Sequence, residues 1–224
     1  MLILLKNNVI NRTFIKDEVY KILLHLIVTG KLKQNEKINI NDIADELNVS
    51  RTPVREAVLM LENDGFIISN ANKSTVIAPV NIKQAEEIYP LVFTLEILAL
   101  KEGFKNIGDQ EISLLKKYND ELMNTISSND FEKFVDCDYM FHKIIIDSAK
   151  NSELSNILDG LKKKIQRIEF CYYEKVEHKM TSFGGHEKII ESIEKRDLEQ
   201  SLINLKNNWQ DSLESLKAIK NLEK

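Results

Sequence analysis

Apolar residues recur every three or four positions along most of this chain, with polar residues between them. That spacing is typical of amphipathic α-helices that bury one face. In the first 80 residues it predicts three helices: about residues 13–29, residues 41–47 with Asn41 as N-cap, and from Ser50 or Thr52 to Asp64–Gly65. We expect the first helix to bury six apolar residues: Ile15, Val19, Ile22, Leu23, Leu26 and Ile27.

The pattern changes to two short β-type runs after the third helix. Residues 66–68 and 75–78 are rich in β-branched and aromatic side chains, and a polar connection, residues 69–74, separates them. Such a pair of runs predicts a β-hairpin. Because residues 48–50 also form a tight connection between the second and third helices, the order helix, turn, helix, hairpin predicts a winged helix-turn-helix.

From residue 81 onwards the helical period continues without β-type runs. It predicts six helices, over about residues 82–105, 109–127, 130–149, 153–176, 186–195 and 198–220. Asp197 is the expected N-cap of the last helix, with Gln200 completing a capping box, and Pro90 predicts a kink or break in the first. The predicted fold class is therefore mainly α, with a winged helix-turn-helix over 1–80 and an all-α bundle of about six helices over 81–224.

Charge is divided unevenly between these two parts. The chain has 224 residues and a formal net charge of −4. Residues 1–80 hold 10 Lys and Arg against 9 Asp and Glu, whereas residues 81–224 hold 21 against 26. Because the first part has almost no excess positive charge, its non-specific affinity for DNA should be modest, and specific base contacts should contribute more.

The cysteines and the apolar runs indicate the cellular compartment in which the protein is expected. Cys137 and Cys171 form no CxxC pair and no disulfide framework, which favours a reduced, cytoplasmic protein. The chain contains no uninterrupted apolar stretch of the length that crosses a bilayer, and its apolar residues 2–5 lack the flanks of a signal peptide. We therefore expect no membrane partner.

The start of the third helix carries the first candidate chemistry. Arg51 and Arg55 are four residues apart and therefore project from one face of the helix, whereas Val54, Val58 and Leu61 form an apolar stripe elsewhere. Guanidinium groups match guanine edges and phosphate oxygens. An arbitrary pair of arginines is more often a solvated face, but the surrounding helix, turn, helix and hairpin favour contact with DNA.

Residues 13–80 resemble the winged helix-turn-helix of the GntR family of bacterial transcriptional regulators. The similarity lies in "GKLKQNEKINI", "IADELNVSRTPVREAVLMLENDGFI" and "NKSTVIAPV". It implies a double-stranded DNA operator as partner and seven contact residues: Asn41, Ser50, Arg51, Thr52, Arg55, Asn72 and Lys73. The family usually has glycines where this wing has Asn72 and Ser74. Glycine lets a backbone approach the minor groove closely, so the resemblance supports DNA contacts by this wing less strongly than contacts by the third helix.

The second half resembles the FCD effector domain of the FadR-like branch of that family. The similarity lies in "EEIYPLVFTLEILALKEG", "FVDCDYMFHKIIIDSAKNSEL" and "GGHEKIIESIEKRDLEQSLINLKNNW", and the six-helix count favours the VanR-type subgroup. The resemblance implies a homodimer that reads a pseudo-palindromic operator. It also implies control by a small-molecule effector, commonly an organic acid, and repression as the default.

Four polar residues of the second half are predicted to meet. Asp138 and His142 are spaced i, i+4 on one helix, so both side chains point the same way. His186 lies about ten residues before the turn between the last two helices and Asn208 about eleven residues after it. In an antiparallel helical hairpin these two positions lie at the same level along the helix axes and can face each other. The group could hold a divalent metal ion, or be a hydrogen-bonded polar cavity without metal.

The resemblance indicates which residues would bind the metal ion and which ions they suit. Many FCD domains bind a divalent ion through an Asp and three His, and Asp138, His142 and His186 match three of these positions, while Asn208 stands at the fourth. An amide oxygen is a poor ligand for Zn²⁺ or Ni²⁺ and a better one for harder ions such as Mn²⁺, so the resemblance leaves Zn, Ni and Mn as candidates.

The chain also differs from FCD domains at a position that concerns effector binding. FCD domains often carry an Arg in the first effector helix, where this chain has Val92. Arg167 is the candidate effector-binding residue in its place, with Lys163 and Lys164 as further possible anion partners.

Two other functions remain open from the sequence. A FadR-like acyl-CoA sensor would have the same domains and no metal. A metal-dependent hydrolase would use three protein ligands and an open coordination position, but no residue near the cluster stands out as a general base. We therefore predict a regulator and not an enzyme.

Overall fold

The computed structural model describes residues 12–69, 74–128, 130–172 and 179–222. By its internal contacts the chain divides into two compact units, Met1–Pro79 and Val80–Lys224. The candidate wing-tip residues Asn72 and Lys73 lie outside the described residues.

The first unit contains, in its described part, three helices and a two-stranded sheet. These are α1 (Arg12–Val28), α2 (Ile40–Glu46), α3 (Arg51–Asn63), β1 (Ile67–Ser69) and β2 (Thr75–Ile77). The element order is that of the predicted winged helix-turn-helix.

The ends of α2 and α3 follow from local hydrogen bonding. Asn39 is the N-cap of α2, because its side-chain oxygen accepts the backbone N–H of Asn41 at 2.9 Å. The prediction that Asn41 is the cap was therefore wrong by two residues. At the other boundary α3 begins directly after Ser50, with Pro53 in its first turn. It ends before Gly65, whose φ of 81° is the left-handed conformation that glycine adopts without strain.

The core of the first unit differs from the predicted one on α1. Val19, Leu23 and Ile27 are buried, whereas Ile15 and Ile22 are 45% and 41% exposed. The buried three are four residues apart and form one stripe on the helix, which packs against α3. Ile15 and Ile22 fall beside this stripe, so expecting both to be buried was wrong.

The wing pairs in a single antiparallel register. Ile67 lies opposite Ile77, and Ile68 lies opposite Val76. Lys37, from the segment before α2, makes an isolated bridge to Val76 on the other edge of β2. The wing is thereby joined to the segment that leads into α2.

The second unit is entirely helical in its described part. It contains one 3₁₀ turn, Phe104–Asn106, and six α-helices: α4 (Ile82–Gly103), α5 (Asp109–Ser128), α6 (Phe131–Ser148), α7 (Ser152–Tyr172), α8 (Lys179–Glu194) and α9 (Leu198–Leu222). The predicted mainly α architecture is confirmed. No helix among the described residues is long and apolar enough to span a bilayer.

Two helices of this unit differ from the prediction. Pro90 lies inside α4 without breaking it. α8 begins at Lys179, several residues before the predicted start at His186, and continues through Gly184 and Gly185. Glycine lowers helix propensity, but here α8 packs along α9, and a Cβ at Gly185 would lie only 2.6 Å from Asn208 Nδ2. Tertiary packing therefore outweighs the local preference.

The predicted capping box of α9 forms only in part. Asp197 Oδ1 accepts the backbone N–H of Gln200 at 2.9 Å, so Asp197 is the N-cap. The side chain of Gln200 donates to Asn204 Oδ1 instead of turning back to Asp197, and the N–H of Asp197 donates to the carbonyl of Ser192. The reciprocal bond is unnecessary because the preceding turn already satisfies that N–H.

Candidate functional site

The candidate DNA-reading residues of α2 and α3 are accessible. Five of them are described and all are exposed: Asn41, Ser50, Arg51, Thr52 and Arg55. Among the described residues, neither guanidinium makes a hydrogen bond or an ion pair. The apolar stripe behind them, with Val54 and Leu61 fully buried, anchors α3 in the first unit. The arginines are therefore held by a buried helix face and remain free to bind a ligand.

The base of the wing is attached to the end of α3 by one carboxylate. Glu62 Oε1 accepts the backbone N–H of Ser69 at 3.0 Å, and Glu62 Oε2 accepts its hydroxyl at 3.1 Å. Ser69 Oγ also lies 3.5 Å from Thr75 Oγ1 on the partner strand. Sequence reasoning missed Glu62, because this contact depends on the third helix and the hairpin meeting in space.

In the second unit, three of the four predicted metal ligands come together. Asp138 and His142 project from α6 and His186 from α8, and their ligand atoms lie within 4.8 Å of one another. Asp138 Oδ1 is 3.4 Å from His186 Nε2, and Asp138 Oδ2 is 4.0 Å from His142 Nε2. Both imidazoles therefore turn their Nε2 atoms towards one carboxylate.

The opposite ring nitrogens are held by other helices. His142 Nδ1 lies 2.8 Å from Glu96 Oε2 of α4, and His186 Nδ1 lies 3.1 Å from Asn119 Oδ1 of α5. Because an oxygen acceptor beside Nδ1 favours a proton there, each ring in its neutral form carries its lone pair on Nε2. This is the arrangement in which a histidine can bind a metal ion.

His186 Nε2 is a buried nitrogen with no hydrogen-bond partner among the described residues. Burial, and after it the neighbouring charges of His142 and Lys162, hold the pKa of His186 well below its ordinary value, so the ring is neutral. It is also stacked on Phe141 at 3.7 Å between centroids, which fixes its plane. Since a buried acceptor without a partner is costly, and the donor set is one carboxylate with two imidazoles, the residues present fit a divalent metal ion.

Glu96 connects the cluster to two neighbouring side chains, Trp209 and Lys162. Its Oε2 also accepts the indole N–H of Trp209 at 2.8 Å, and its Oε1 accepts the ammonium of Lys162 at 3.2 Å. Burial alone would raise the pKa of Glu96, but the charges of His142 and Lys162 and the hydrogen bonds from His142 and Trp209 outweigh it and lower the pKa to about 2. Glu96 is therefore a buried carboxylate anion.

Sequence reasoning missed Glu96 and Lys162. The available signal was a single acid within the apolar run from Leu95 to Leu100, a position where an acid is rare unless it is paired. Lys162 was hidden among three consecutive lysines. Its side chain is only 2% exposed, and its ammonium lies 4.8 Å from the centre of the Trp209 ring, a cation–π distance.

Asn208, the fourth predicted ligand, is buried on α9 beside Trp209. Its amide nitrogen is directed at Gly185, the residue before His186, since a Cβ added to Gly185 would lie within 2.6 Å of it. Asn208 therefore borders the cluster from the α8–α9 side. Its role as a ligand stays a prediction.

The candidate effector cations differ in their surroundings. Arg167 is buried on α7, and burial lowers the pKa of its guanidinium. Lys163 pairs with Asp159 at 2.5 Å and is thereby engaged. Val92, where a family arginine would stand, is fully buried. The buried cation next to the cluster is Lys162, which the sequence had not singled out.

A further buried acid lies on α7. Glu169 Oε1 accepts the hydroxyl of Tyr89 at 3.1 Å. Burial, and after it the negative charge of Asp138, raises the pKa of Glu169 to about 8, although Lys162 and the Tyr89 hydrogen bond oppose the shift. Glu169 is therefore protonated at neutral pH.

Two family models match the chain. The FCD domain model matches residues 87–202, and the model described as bacterial regulatory proteins, gntR family, matches residues 15–77. The uncharacterized HTH-type transcriptional regulator YdhC of Bacillus subtilis is 26% identical over 203 residues, which cover 90% of this chain and 91% of that one. The gluconate operon transcriptional repressor of Bacillus subtilis is 27% identical over 190 residues, covering 83% and 78%.

The fold is also found in solved structures. Escherichia coli McbR/YncC superposes with a TM-score of 0.81 at 20% identity, covering 91% of this chain and 97% of that one. Both matched families and the relatives are transcriptional regulators and not enzymes, so the hydrolase alternative is excluded. The VanR-type subgroup stays a prediction. The chain belongs to the GntR family of bacterial regulatory proteins, in the branch that carries an FCD domain, and is a DNA-binding transcriptional regulator.

Proposed function

We propose that this protein is a homodimeric repressor whose affinity for a symmetric operator is controlled by a small organic acid and a divalent metal ion in the helical unit. The observation that carries the proposal is the buried cluster of Asp138, His142 and His186, with the unpartnered Nε2 of His186 facing the carboxylate. A purely structural core would leave no acceptor unsatisfied there.

The exposed start of α3 supports the DNA-reading part. Arg51 and Arg55 stand one turn apart on a helix whose other face is buried, and both are unpaired among the described residues. Arginine in this position can form two parallel hydrogen bonds to a guanine edge. Ser50 and Thr52 beside them offer hydroxyl groups to phosphate.

The donor set supports the metal. When bound, a divalent ion would supply positive charge and an open coordination position to an anionic ligand. Asp138, His142 and His186 would hold it, and Glu96 and Asn119 would orient the two imidazoles. Glu96 is paired with Lys162, so Asp138 is the carboxylate that would bind the ion.

An organic acid is supported by charge and by a relative. One carboxylate with two imidazole ligands leaves a divalent ion with net positive charge, which favours an anionic ligand. A similar protein is the gluconate operon transcriptional repressor, whose name refers to a hydroxylated acid. The same relative supports repression as the direction of control.

A homodimer is supported by an apolar stripe on α4. Leu91 and Leu98 are exposed and seven residues apart, which places them two turns apart on one face. Ile157 is exposed on α7, which packs against α4. Exposed large apolar side chains of this kind are typical of an interface between subunits. Two-fold symmetry of the protein demands a symmetric operator.

Operator binding is tested with genomic fragments that the wild-type protein selects. In a gel shift at fixed salt, Arg55→Ala should weaken binding about 5- to 150-fold, since each bidentate base contact contributes about 1–3 kcal/mol. Lys21→Ala, which removes an exposed cation of α1, is the control and should bind as wild type. Equal affinity of Arg55→Ala and wild type would reject α3 as the reading helix.

Metal binding is tested by elemental mass spectrometry of untagged protein. About one ion per chain is expected for wild type and for His25→Ala, the exposed histidine of α1, and none for His186→Ala. A metal-free wild type that ignores added Zn²⁺, Ni²⁺ and Mn²⁺ would reject the metal. The acyl-CoA sensor alternative would then become the better account of the helical unit.

A further inference from the structure

Leu59 is a large apolar side chain on the outer side of α3. It is 52% exposed, whereas Val54 and Leu61 on the opposite side of the helix are fully buried. Leu59 follows Thr52 by seven residues, which is two helical turns, and Arg55 by four residues, which is about one turn. It therefore lies on the same side of α3 as the candidate DNA contacts.

The position of Leu59 is more informative than its exposure, because single apolar residues are common on protein surfaces. The structure describes all of α3, and each of its other exposed residues is polar or charged: Arg51, Thr52, Arg55, Glu56 and Asn63. A single apolar side chain thus stands on the side of the helix that is otherwise suited to polar contacts. A ligand for this side would need both hydrogen-bonding groups and an apolar group.

The major groove of DNA offers this combination. Its base edges present hydrogen-bond donors and acceptors, and the apolar group that distinguishes a base there is the C5-methyl of thymine. A leucine side chain has no hydrogen-bonding atom, so it contributes to binding by removing apolar surface from water. Contact between Leu59 and a thymine methyl would remove both apolar groups from water together.

Helix geometry indicates where this thymine lies relative to the base that Arg55 reads. The helix rises about 1.5 Å per residue, so Leu59 stands roughly 6 Å beyond Arg55 along the axis. Successive base pairs are about 3.4 Å apart, so this offset corresponds to about two base pairs for a helix that lies along the groove. The two side chains would therefore reach neighbouring but different positions of one operator half-site.

We propose that Leu59 is a specificity-determining residue that recognises the methyl group of a thymine, about two base pairs from the position that Arg55 reads. This inference rests on the proposed reading of the operator by α3 and adds a base preference to it. Arg55 selects a guanine by hydrogen bonds, and Leu59 selects a thymine by apolar contact. A homodimer repeats both contacts in the two halves of a symmetric operator.

Deoxyuracil tests the contact, because it pairs as thymine does and lacks only the methyl group. Each thymine of the operator is replaced in turn, symmetrically in both half-sites, and the affinity of the full-length protein is measured by fluorescence anisotropy at fixed salt. At one position near the guanine that Arg55 reads, wild-type binding should weaken about fourfold per half-site, the usual effect of one buried methyl group. If no replacement weakens wild-type binding, the proposal is overturned.

Two variants assign the methyl contact to Leu59. Leu59→Ala keeps a good helix former at this position. It should bind the thymine operator more weakly than wild type does and bind the thymine and deoxyuracil operators equally. Leu59→Met keeps an apolar side chain of similar volume and should retain the preference for thymine. A Leu59→Ala protein that still prefers thymine would show that another residue recognises the methyl group, and it would overturn the proposal.

Ile22→Ala is the matched control, because it removes an exposed apolar side chain from α1 of the same unit. It should bind both operators as wild type does. Sedimentation velocity without DNA distinguishes a contact with DNA from a contact with protein. An altered oligomeric state of Leu59→Ala would place Leu59 in a protein interface and overturn the proposal.

The failure of this inference and the failure of the proposed function give different results. Wild-type operator affinity of Arg55→Ala would reject α3 as the reading helix altogether. Weakened binding by Arg55→Ala, together with wild-type affinity of Leu59→Ala for the thymine operator, would reject the role of Leu59 and leave α3 as the reading helix.

Discussion

Glu96 Oε2 lies 2.8 Å from His142 Nδ1 in the interior of the helical unit. A carboxylate on the far nitrogen of a metal-binding imidazole fixes its tautomer and raises its basicity. The same oxygen accepts the indole N–H of Trp209 at 2.8 Å, so Glu96 is itself held in place. The candidate metal cluster on α6 and α8 is thereby supported by α4 and α9.

We expect Glu96→Gln to weaken metal binding by about 10- to 100-fold, the usual effect of losing such a support. The neutral amide oxygen accepts less strongly than the carboxylate and therefore raises the basicity of His142 less. Competition with a chromogenic chelator measures the change, and Glu102→Gln, an exposed acid on the same helix, should leave affinity unaltered. Equal metal affinity of Glu96→Gln and Glu102→Gln would show that Glu96 does not support metal binding and contributes only to the stability of the fold.

Lys162→Met should destabilise the protein strongly. It would leave the Glu96 carboxylate buried without its cation, and breaking a buried ion pair from one side typically costs about 3–5 kcal/mol. The double variant Lys162→Met, Glu96→Gln should cost less than the sum of the two single variants, because neither charge is then left alone. Urea unfolding of all four proteins measures this cycle. If the changes in unfolding free energy of the two single variants simply add, the 3.2 Å contact between Lys162 and Glu96 does not couple the two residues energetically.

The protonated state of Glu169 predicts a pH dependence of the metal-free protein. The folded pKa of Glu169 is raised to about 8 from 4.5 by burial and the charge of Asp138. Between these values the folded state binds more protons than the unfolded state, so this group makes the free energy of unfolding fall as pH rises from about 4.5 to 8. Urea unfolding in the presence of chelator checks the slope. Glu169→Gln, which can still accept from Tyr89, should flatten it, and an unchanged slope would remove Glu169 as the cause.

Gly103 is required where the end of α4 meets the end of α6. A Cβ at this position would collide with Ser148 Oγ and with the backbone at Ala149. Gly103→Ala should therefore destabilise the protein by about 1–3 kcal/mol, the usual cost of overpacking, despite the higher helix propensity of alanine. Gly160→Ala meets no atom within 4 Å and should be neutral or slightly stabilising. Thermal unfolding of the two variants measures the difference. Equal midpoints would show that α4 and α6 can shift apart enough to accept the added methyl group without loss of stability.

Periodicity and spacing were enough to predict much of this protein. The i, i+4 pair Asp138 and His142 depends only on helix geometry, and the hairpin register predicts that His186 lies beside Asn208. The resemblance to FCD domains assigned Asp138, His142 and His186 to one ligand set. Glu96 and Lys162 could not be predicted, since their pairing needs α4 and α7 to meet in space. Local propensity also misplaced the start of α8, because α8 packs along α9 and continues through its two glycines, one of which, Gly185, lies against Asn208.

Glu62 should set the DNA affinity of the wing without touching DNA. Its carboxylate holds both the N–H and the hydroxyl of Ser69, so the base of the hairpin is tied to α3. Glu62→Ala should free the wing and weaken operator binding several-fold, whereas Glu56→Ala, an exposed acid on the same helix, serves as control. Gel shifts at two salt concentrations distinguish the causes. A smaller salt dependence in Glu62→Ala would mean lost phosphate contacts by the wing, and wild-type affinity would show that the Ser69 attachment is dispensable.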